Sequence, residues 1–469
     1  MQTAGFSSDA YKPGLGQMFD YAAFLGDPEL RWRGVHVAGT NGKGSVCSML
    51  AAALAASGLK TGLYTSPHLV DFRERIKLVR PEAAESGDGE LRFAHPSQPR
   101  GWAPPAHVAT GGYGSPSRAP LPQAVAEGLL PEHIATGGYG SPSRAPLPWA
   151  EMISQEEVCE FLESYDREGL SFFEVTTGMA FKWFADRGVD VAVIETGLGG
   201  RLDSTNIITP LISIITSIGL DHCALLGNTR AEIAAEKAGI FKPGVPALVW
   251  GRDPETRPVF ESAAAAVGCP LYFAEDFPVP EGFPRLDLAG PCQDINLRTV
   301  LAALAILQDS NGTAALNPGV CEAIASAARI TGLRGRWEHV LDKPLTICDI
   351  AHNPPALAVN MERLTALCKA EKRPLLIVFG AMADKDEDSV ATILPQEAEY
   401  FLVQPSTPRA MRTGDLALKL KRNCFSVQPS VAAGVQAALE RAKLLPDPII
   451  YIGGSTYVVS EAISYLESI

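Results

Sequence analysis

Residues 35–54, VHVAGTNGKGSVCSMLAAAL, constrain the fold more than any other stretch of the chain. Residues 35–38 read as a short apolar strand. Residues 39–45 follow as a tight loop in which Gly39, Gly42 and Gly44 surround Lys43, with polar side chains at Thr40, Asn41 and Ser45. An Ala- and Leu-rich helix comes next. Glycines let a backbone bend sharply and bring its N–H groups close to an anion. A helix N-terminus adds partial positive charge there, and Lys43 adds a full one. Strand, loop and helix therefore predict a phosphate cradle of the P-loop type on a parallel sheet. The spacing departs from G-x-x-x-x-G-K-[ST]: two residues separate Gly39 from Gly42, and Gly44 stands between Lys43 and Ser45. A glycine loop alone is also an ordinary strand–helix turn; the lysine, the hydroxyl and the flanking elements favour the cradle.

At 469 residues the chain is longer than one ordinary domain. Buried parallel strands are expected at 61–64, 189–194, 211–218 and 245–250, with helices at 15–24, 155–165, 231–239, 254–267, 296–308 and 320–328. Beyond 332–335, the expected hinge, strands at 345–350, 375–379, 400–403 and 448–452 go with helices at 356–370, 431–444 and 457–466. The pattern predicts an α/β protein: an N-terminal P-loop ATPase-like domain over 1–331 with a mainly parallel sheet, and a smaller C-terminal Rossmann-like α/β domain over 336–469. Residues 81–149 interrupt the first domain. They are rich in Pro, Gly, Ser and Ala, and carry two near-copies, HVATGGYGSPSRAPLP at 107–122 and HIATGGYGSPSRAPLP at 133–148. Two copies of this composition read as a flexible insertion, not a solenoid.

The net charge of −13 argues against general nucleic-acid binding. Nine cysteines, none in C-x-x-C spacing, read as free thiols in a reducing compartment. No signal-peptide pattern opens the chain, and no apolar run reaches the roughly 18 residues of a spanning helix. The expectation is cytoplasmic, with no membrane or nucleic-acid partner.

Polar residues gather where strands end, the usual place for ligands in open α/β sheets. Ser66 follows the strand at 61–64. Glu195 closes the strand at 189–194 and precedes a glycine-rich turn, so it is placed like an acid that supports Mg2+ beside a bound nucleotide. His222 follows the strand at 211–218, although imidazole is not a preferred Mg2+ ligand. In the second domain Arg336, Asp349, His352 and Asn353 flank the strand at 345–350; an Asp there could be only a helix cap.

The phrases AGTNGKGS, YTSPHLVDFRERI, IETGLGGRLDSTN, LDHCALLGNT, EKAGIFKPG, LRGRWEHV, DIAHNP and GAMADKD occur in this order. Together they resemble folylpolyglutamate synthase and bifunctional dihydrofolate synthase, of the Mur ligase superfamily, over residues 15–469 without the insertion. The resemblance implies an ATP-dependent ligase that phosphorylates a carboxylate of dihydropteroate or of a folate glutamate tail. The amine of L-glutamate would then displace the phosphate. It implies nucleotide contacts at Gly39, Thr40, Asn41, Gly42, Lys43, Gly44, Ser45, Asn296, Arg336 and Asp349, and Mg2+ ligands at Ser66, Glu195 and His222. Lys43, Lys237 and His352 take catalytic places, with Lys237 matching a lysine that is carbamylated in that family. It also implies a monomer. A ligase acting on a cell-wall precursor is the nearest alternative, and a nucleotide-binding regulatory module without ligase activity is a more distant one. Ile350 and Cys223 depart from the family phrases, and the insertion follows Glu74-Arg75-Ile76, near where the family holds its pterin.

Overall fold

The computed structural model describes residues 14–80, 150–311, 316–383, 387–420 and 425–469. The repeated insertion expected at 81–149 lies outside these residues. Two mainly parallel sheets organise the rest. The first contains β1 (Arg33–Ala38), β2 (Thr61–Tyr64), β3 (Ile76–Val79), β4 (Ala150–Met152), β5 (Val191–Glu195), β6 (Ile212–Ile215), β7 (Ala247–Val249) and β8 (Leu271–Phe273). Their spatial order is β4-β3-β2-β5-β1-β6-β7-β8. β3 and β4 run antiparallel to their neighbours and form an edge the sequence reading did not anticipate.

β1 lies between β5 and β6, parallel to both. The chain leaves β5 on one side of β1 and returns as β6 on the other, so the loops after these three strands open at one edge of the sheet. Pairing of Val37 with Glu195 sets the acid level with the start of the phosphate loop. The helix Lys43–Ala56 is buried from Gly44 to Ala55. It is apolar on every side because it is packed on every side: the sheet lies along one flank, and the helices Gln293–Asn311, Pro318–Ala325 and Ala327–Thr331 along the other. The N-terminal boundary of this helix differs from expectation. Gly42, at φ +92°, is its N-cap, so Lys43, Gly44 and Ser45 belong to the first helical turn and the loop proper is Gly39–Gly42.

The second sheet contains β9 (Glu338–Asp342), β10 (Leu345–Asp349), β11 (Leu375–Phe379), β12 (Glu399–Leu402), β13 (Phe425–Val427) and β14 (Ile449–Gly453), ordered β13-β12-β11-β14-β10-β9. Only β9 is antiparallel. Alternate residues serve two apolar layers. Ile347, Phe379 and Tyr451 face one, and Cys348, Val378 and Ile452 the other. Strands β8, β9 and β13 and the helices Glu387–Ile393 and Thr413–Leu420 were not anticipated; all are short. Residues 332–335 join the helix Ala327–Thr331 to β9, with Gly332 at φ +66° and Gly335 at φ +69°. Among the described residues no helix is long and apolar enough to cross a membrane.

Candidate active site

The phosphate loop is shaped by contacts that exclude side chains. A Cβ at Gly39 would stand 1.8 Å from Thr216 Oγ1, and one at Gly42 would stand 2.4 Å from Asn296 Oδ1. The loop is pinned to the segment after β6: Thr40 N donates to Ser217 O at 2.8 Å, and Ser217 Oγ donates to Asn41 O at 3.1 Å. Lys43 turns back over the loop, its Nζ donating to Gly39 O at 3.0 Å and to Thr40 O at 3.3 Å. The ammonium is thus held where a phosphate on the loop would meet it. Asn296 is buried, bonded to Gln293 Oε1 at 3.0 Å, and Gln293 Nε2 donates in turn to Ser45 Oγ at 3.3 Å. One face of the helix Gln293–Asn311 therefore closes over the loop.

Glu195 is buried at the end of β5, not a surface carboxylate. It accepts the Ser66 N–H at 3.3 Å, which brings two of the three expected metal residues together. Burial raises the Glu195 pKa even against Lys43, the Ser66 N–H, Arg336 and Arg75. A cleft beside it is lined by Gly44, Ser66, Lys77, Glu195, Arg336 and Ile350, so both sheets contribute to one space. Among the described residues no three His, Cys, Asp or Glu side chains are gathered as a metal cage. The hydroxyl of Thr196, next to Glu195, is buried without a hydrogen-bond partner among the described residues.

Lys237 is buried and not a helix-surface lysine; its neighbour Glu236 is the one that pairs outward, with Arg201 at 2.8 Å. No ion pair neutralises Lys237 among the described residues. Burial, then the Lys43 charge, bring its pKa down to about 7, against the pull of Asp221 and Asp203. The amine is therefore partly neutral near neutral pH.

From the second sheet, Asp349 ends β10 and is not a helix cap. Its oxygens accept Trp337 N at 2.7 Å and Ala351 N at 2.8 Å. Arg336 stands beside Gly44 and Glu195, with Nη2 3.3 Å from a Cβ built at Gly44. Burial lowers its pKa, while Asp349 and Glu195 oppose the shift. His352 Nδ1 meets Ile350 O at 2.9 Å. A carbonyl only accepts, so Nδ1 carries the proton and Nε2 points to Asp221 Oδ2, 3.4 Å away. His222 lies on the same turn as Asp221, at φ +53°, with its N–H on Asp221 Oδ1 at 2.9 Å.

Three groups were missing from the sequence-derived site, of which Arg75 and Lys77 are buried. Asp221 is the point where the loop after β6 meets the second sheet. Arg75 contributes charge near Glu195, with its Nε on His68 Nδ1 at 2.8 Å. Lys77 donates to Thr331 O at 2.6 Å and lines the cleft. The signal for Arg75 and Lys77 was the alternation of charge with Ile76 and Leu78, the period of a strand, here β3 between β2 and β4.

Residues 335–456 match the Mur ligase, glutamate ligase domain. The folylpolyglutamate synthase of Lacticaseibacillus casei is 31% identical over 459 residues, covering 93% of this chain and 90% of that protein. E. coli FolC in complex with DHPP and ADP superposes with a TM-score of 0.73 at 25% identity, covering 98% of this chain and 95% of that one. A bifunctional folylpolyglutamate synthase/dihydrofolate synthase with Mn, AMPPNP and L-glutamate bound gives 0.70 at 26%, covering 97% and 95%.

Proposed function

Since the chain belongs to the folylpolyglutamate synthase/dihydrofolate synthase family, we propose a division of labour among its residues for that chemistry. The protein is an ATP-dependent glutamate ligase of folate metabolism. The observation that carries the residue assignment is the cleft in which Gly44, in the helix turn that follows the phosphate loop, meets Glu195 and Arg336. The backbone N–H groups of 42–45 at the start of the helix and the Lys43 ammonium hold the ATP phosphates, and Asn296, Asp349 and Arg336 complete the nucleotide site from both sheets. ATP, L-glutamate and dihydropteroate or a folate are the substrates. A carboxylate oxygen of the acceptor attacks the γ-phosphorus, giving an acyl phosphate and ADP. The glutamate nitrogen then attacks the acyl carbon, the C–O bond to phosphate breaks, and the amine proton leaves as the amide forms. Lys43 and Arg336 offset the charge that spreads over the transferring phosphoryl group. His352, held by Ile350 O, lies on the second-sheet side, where glutamate enters.

The donor set fits a divalent metal: Ser66, Glu195 and His222 would hold it, with water and phosphate oxygens completing the shell. Bound there, Mg2+ neutralises charge on the phosphates. Lys237 fits carbamylation, because only a neutral amine adds to CO2, giving a carbamate and releasing one proton. Residues 332–335 serve as the hinge between the segments 1–331 and 336–469. The protein works as a monomer, checked by sedimentation, and in the cytoplasm, checked by cell fractionation.

ADP release from ATP is expected to depend on both glutamate and an acceptor, with dihydropteroate and tetrahydrofolate tested side by side. Equal ADP release without glutamate, or no amide product with either acceptor, refutes the assignment. Carbamylation has its own check. Removal of CO2 should slow turnover, and added bicarbonate should restore it more fully at pH 8 than at pH 6, because the Lys237 amine is mostly protonated below about 7. Turnover indifferent to bicarbonate at both pH values removes the carbamate.

A further inference from the structure

Asn353 is only 2% exposed, and its carboxamide is saturated. An amide offers two N–H donors and two acceptor sites. Here Nδ2 donates to Asn41 Oδ1 at 3.0 Å and to Asp221 Oδ2 at 3.1 Å. Oδ1 accepts from Asn41 Nδ2 at 3.2 Å and from Ala356 N at 3.1 Å. The last bond caps the helix Pro354–Glu371. The other three reach across to the first sheet. Two of them form a reciprocal amide pair with the middle of the phosphate loop, and one holds the carboxylate beside His222.

A helix cap needs only an acceptor, which Ser, Thr or Asp supplies equally well. The two donors are therefore beyond what capping requires, and only an amide provides both. Asp221 Oδ2 receives Asn353 Nδ2 and also faces His352 Nε2. One carboxylate oxygen thus holds Asn353 against the loop after β6 and stands 3.4 Å from the neighbouring His352 ring.

We propose that Asn353 is an interdomain positioning residue: its carboxamide clasps Asn41 of the phosphate loop and Asp221 of the loop after β6, and so sets where His352 stands relative to the nucleotide phosphates. The clasp spans 312 residues of sequence. It forms only when both sheets are in the arrangement described above. It rests on the ligase reading, with wild-type turnover testing that reading and the ratios among variants testing the clasp.

Asn353→Asp is the discriminating substitution. A carboxylate keeps the helix cap and still accepts from Asn41, but loses both donors and faces Asp221 with like charge. Asp221→Asn in the same chain restores a donor toward position 353 and leaves one negative charge in the pair. Asn353→Asp is expected to lower kcat about 10- to 100-fold, the range seen when groups that orient active-site residues are lost. ADP affinity, measured by calorimetry, should change less than about threefold, since the backbone cradle is intact. Amide hydrogen exchange in residues 39–45 should quicken, and the melting temperature should fall because a buried carboxylate faces Asp221, then recover in the double variant. The double variant should recover at least about tenfold in kcat over Asn353→Asp and slow the exchange again. The proposal is overturned if Asn353→Asp keeps more than half of wild-type kcat, if exchange in 39–45 is unchanged, or if the double variant is no faster than the single one.

Discussion

Lys43→Ala should lower glutamate-dependent ADP release by about 10³-fold or more, equivalent to roughly 4 kcal/mol of lost transition-state stabilisation. The size follows from where the ammonium is held. Gly39 O and Thr40 O fix it over the loop at 3.0 and 3.3 Å, so its position costs nothing further at the moment of phosphoryl transfer. A second effect works in the same direction. The Lys43 charge is the second-largest cause of the depressed Lys237 pKa. Removing it lets Lys237 hold its proton more tightly, which leaves less neutral amine at neutral pH. Lys43→Arg keeps the charge but not the compact donor, and should recover only part of the loss. A Lys43→Ala protein with full turnover and an unchanged requirement for glutamate would show that the loop does not handle the reacting phosphates.

Glu195→Gln should separate activity from stability. The amide still accepts the Ser66 N–H, so the local geometry survives. The loss of negative charge at the end of β5 should cost about 10²-fold in turnover and raise the divalent-metal concentration needed for half-maximal rate; two decades correspond to roughly 3 kcal/mol. Folding stability should move the other way. Burial raises the Glu195 pKa in the folded chain above its ordinary value. Such a carboxyl binds its proton more tightly folded than unfolded. Its ionised form therefore costs stability at neutral pH, and that cost fades as pH falls from the raised folded value to the ordinary one. Gln removes the cost, so thermal unfolding without nucleotide or metal should shift upward at pH 7. A parallel loss of turnover and melting temperature would mean that Glu195 is a structural anchor instead.

How much of this was legible in advance differs from element to element. The strand Thr61–Tyr64 and the helix Gln155–Tyr165 stand where periodicity predicted them, because each carries its own pattern of burial and, for the helix, a Ser154–Glu157 capping box. Strands β3, β4, β9 and β13 escaped notice. They are edge or near-edge strands of three to five residues, and their pairing comes from a distant neighbour, not from local propensity. Lys237 illustrates the same limit within a helix. Its sequence neighbours Glu236 and Ala238 are equally consistent with exposure and burial, and the close approach of Gly200 to the Lys237 backbone is a contact between segments 37 residues apart in the chain.

By itself the sequence determined the phosphate cradle, the α/β class and the ends of the buried strands on which polar residues appear. Those depend on glycine conformational freedom, helix polarity and short-range apolar period, all of which act within a few residues. Only the tertiary structure decided that the helix begins at Lys43, that Glu195 and Lys237 are buried with shifted proton affinities, and that Asp221 meets the second-sheet segment through Asn353. Burial and electrostatic coupling depend on which distant segments exclude water from a group, and Asn41 and Asn353 come within hydrogen-bonding distance only once both sheets have formed and met.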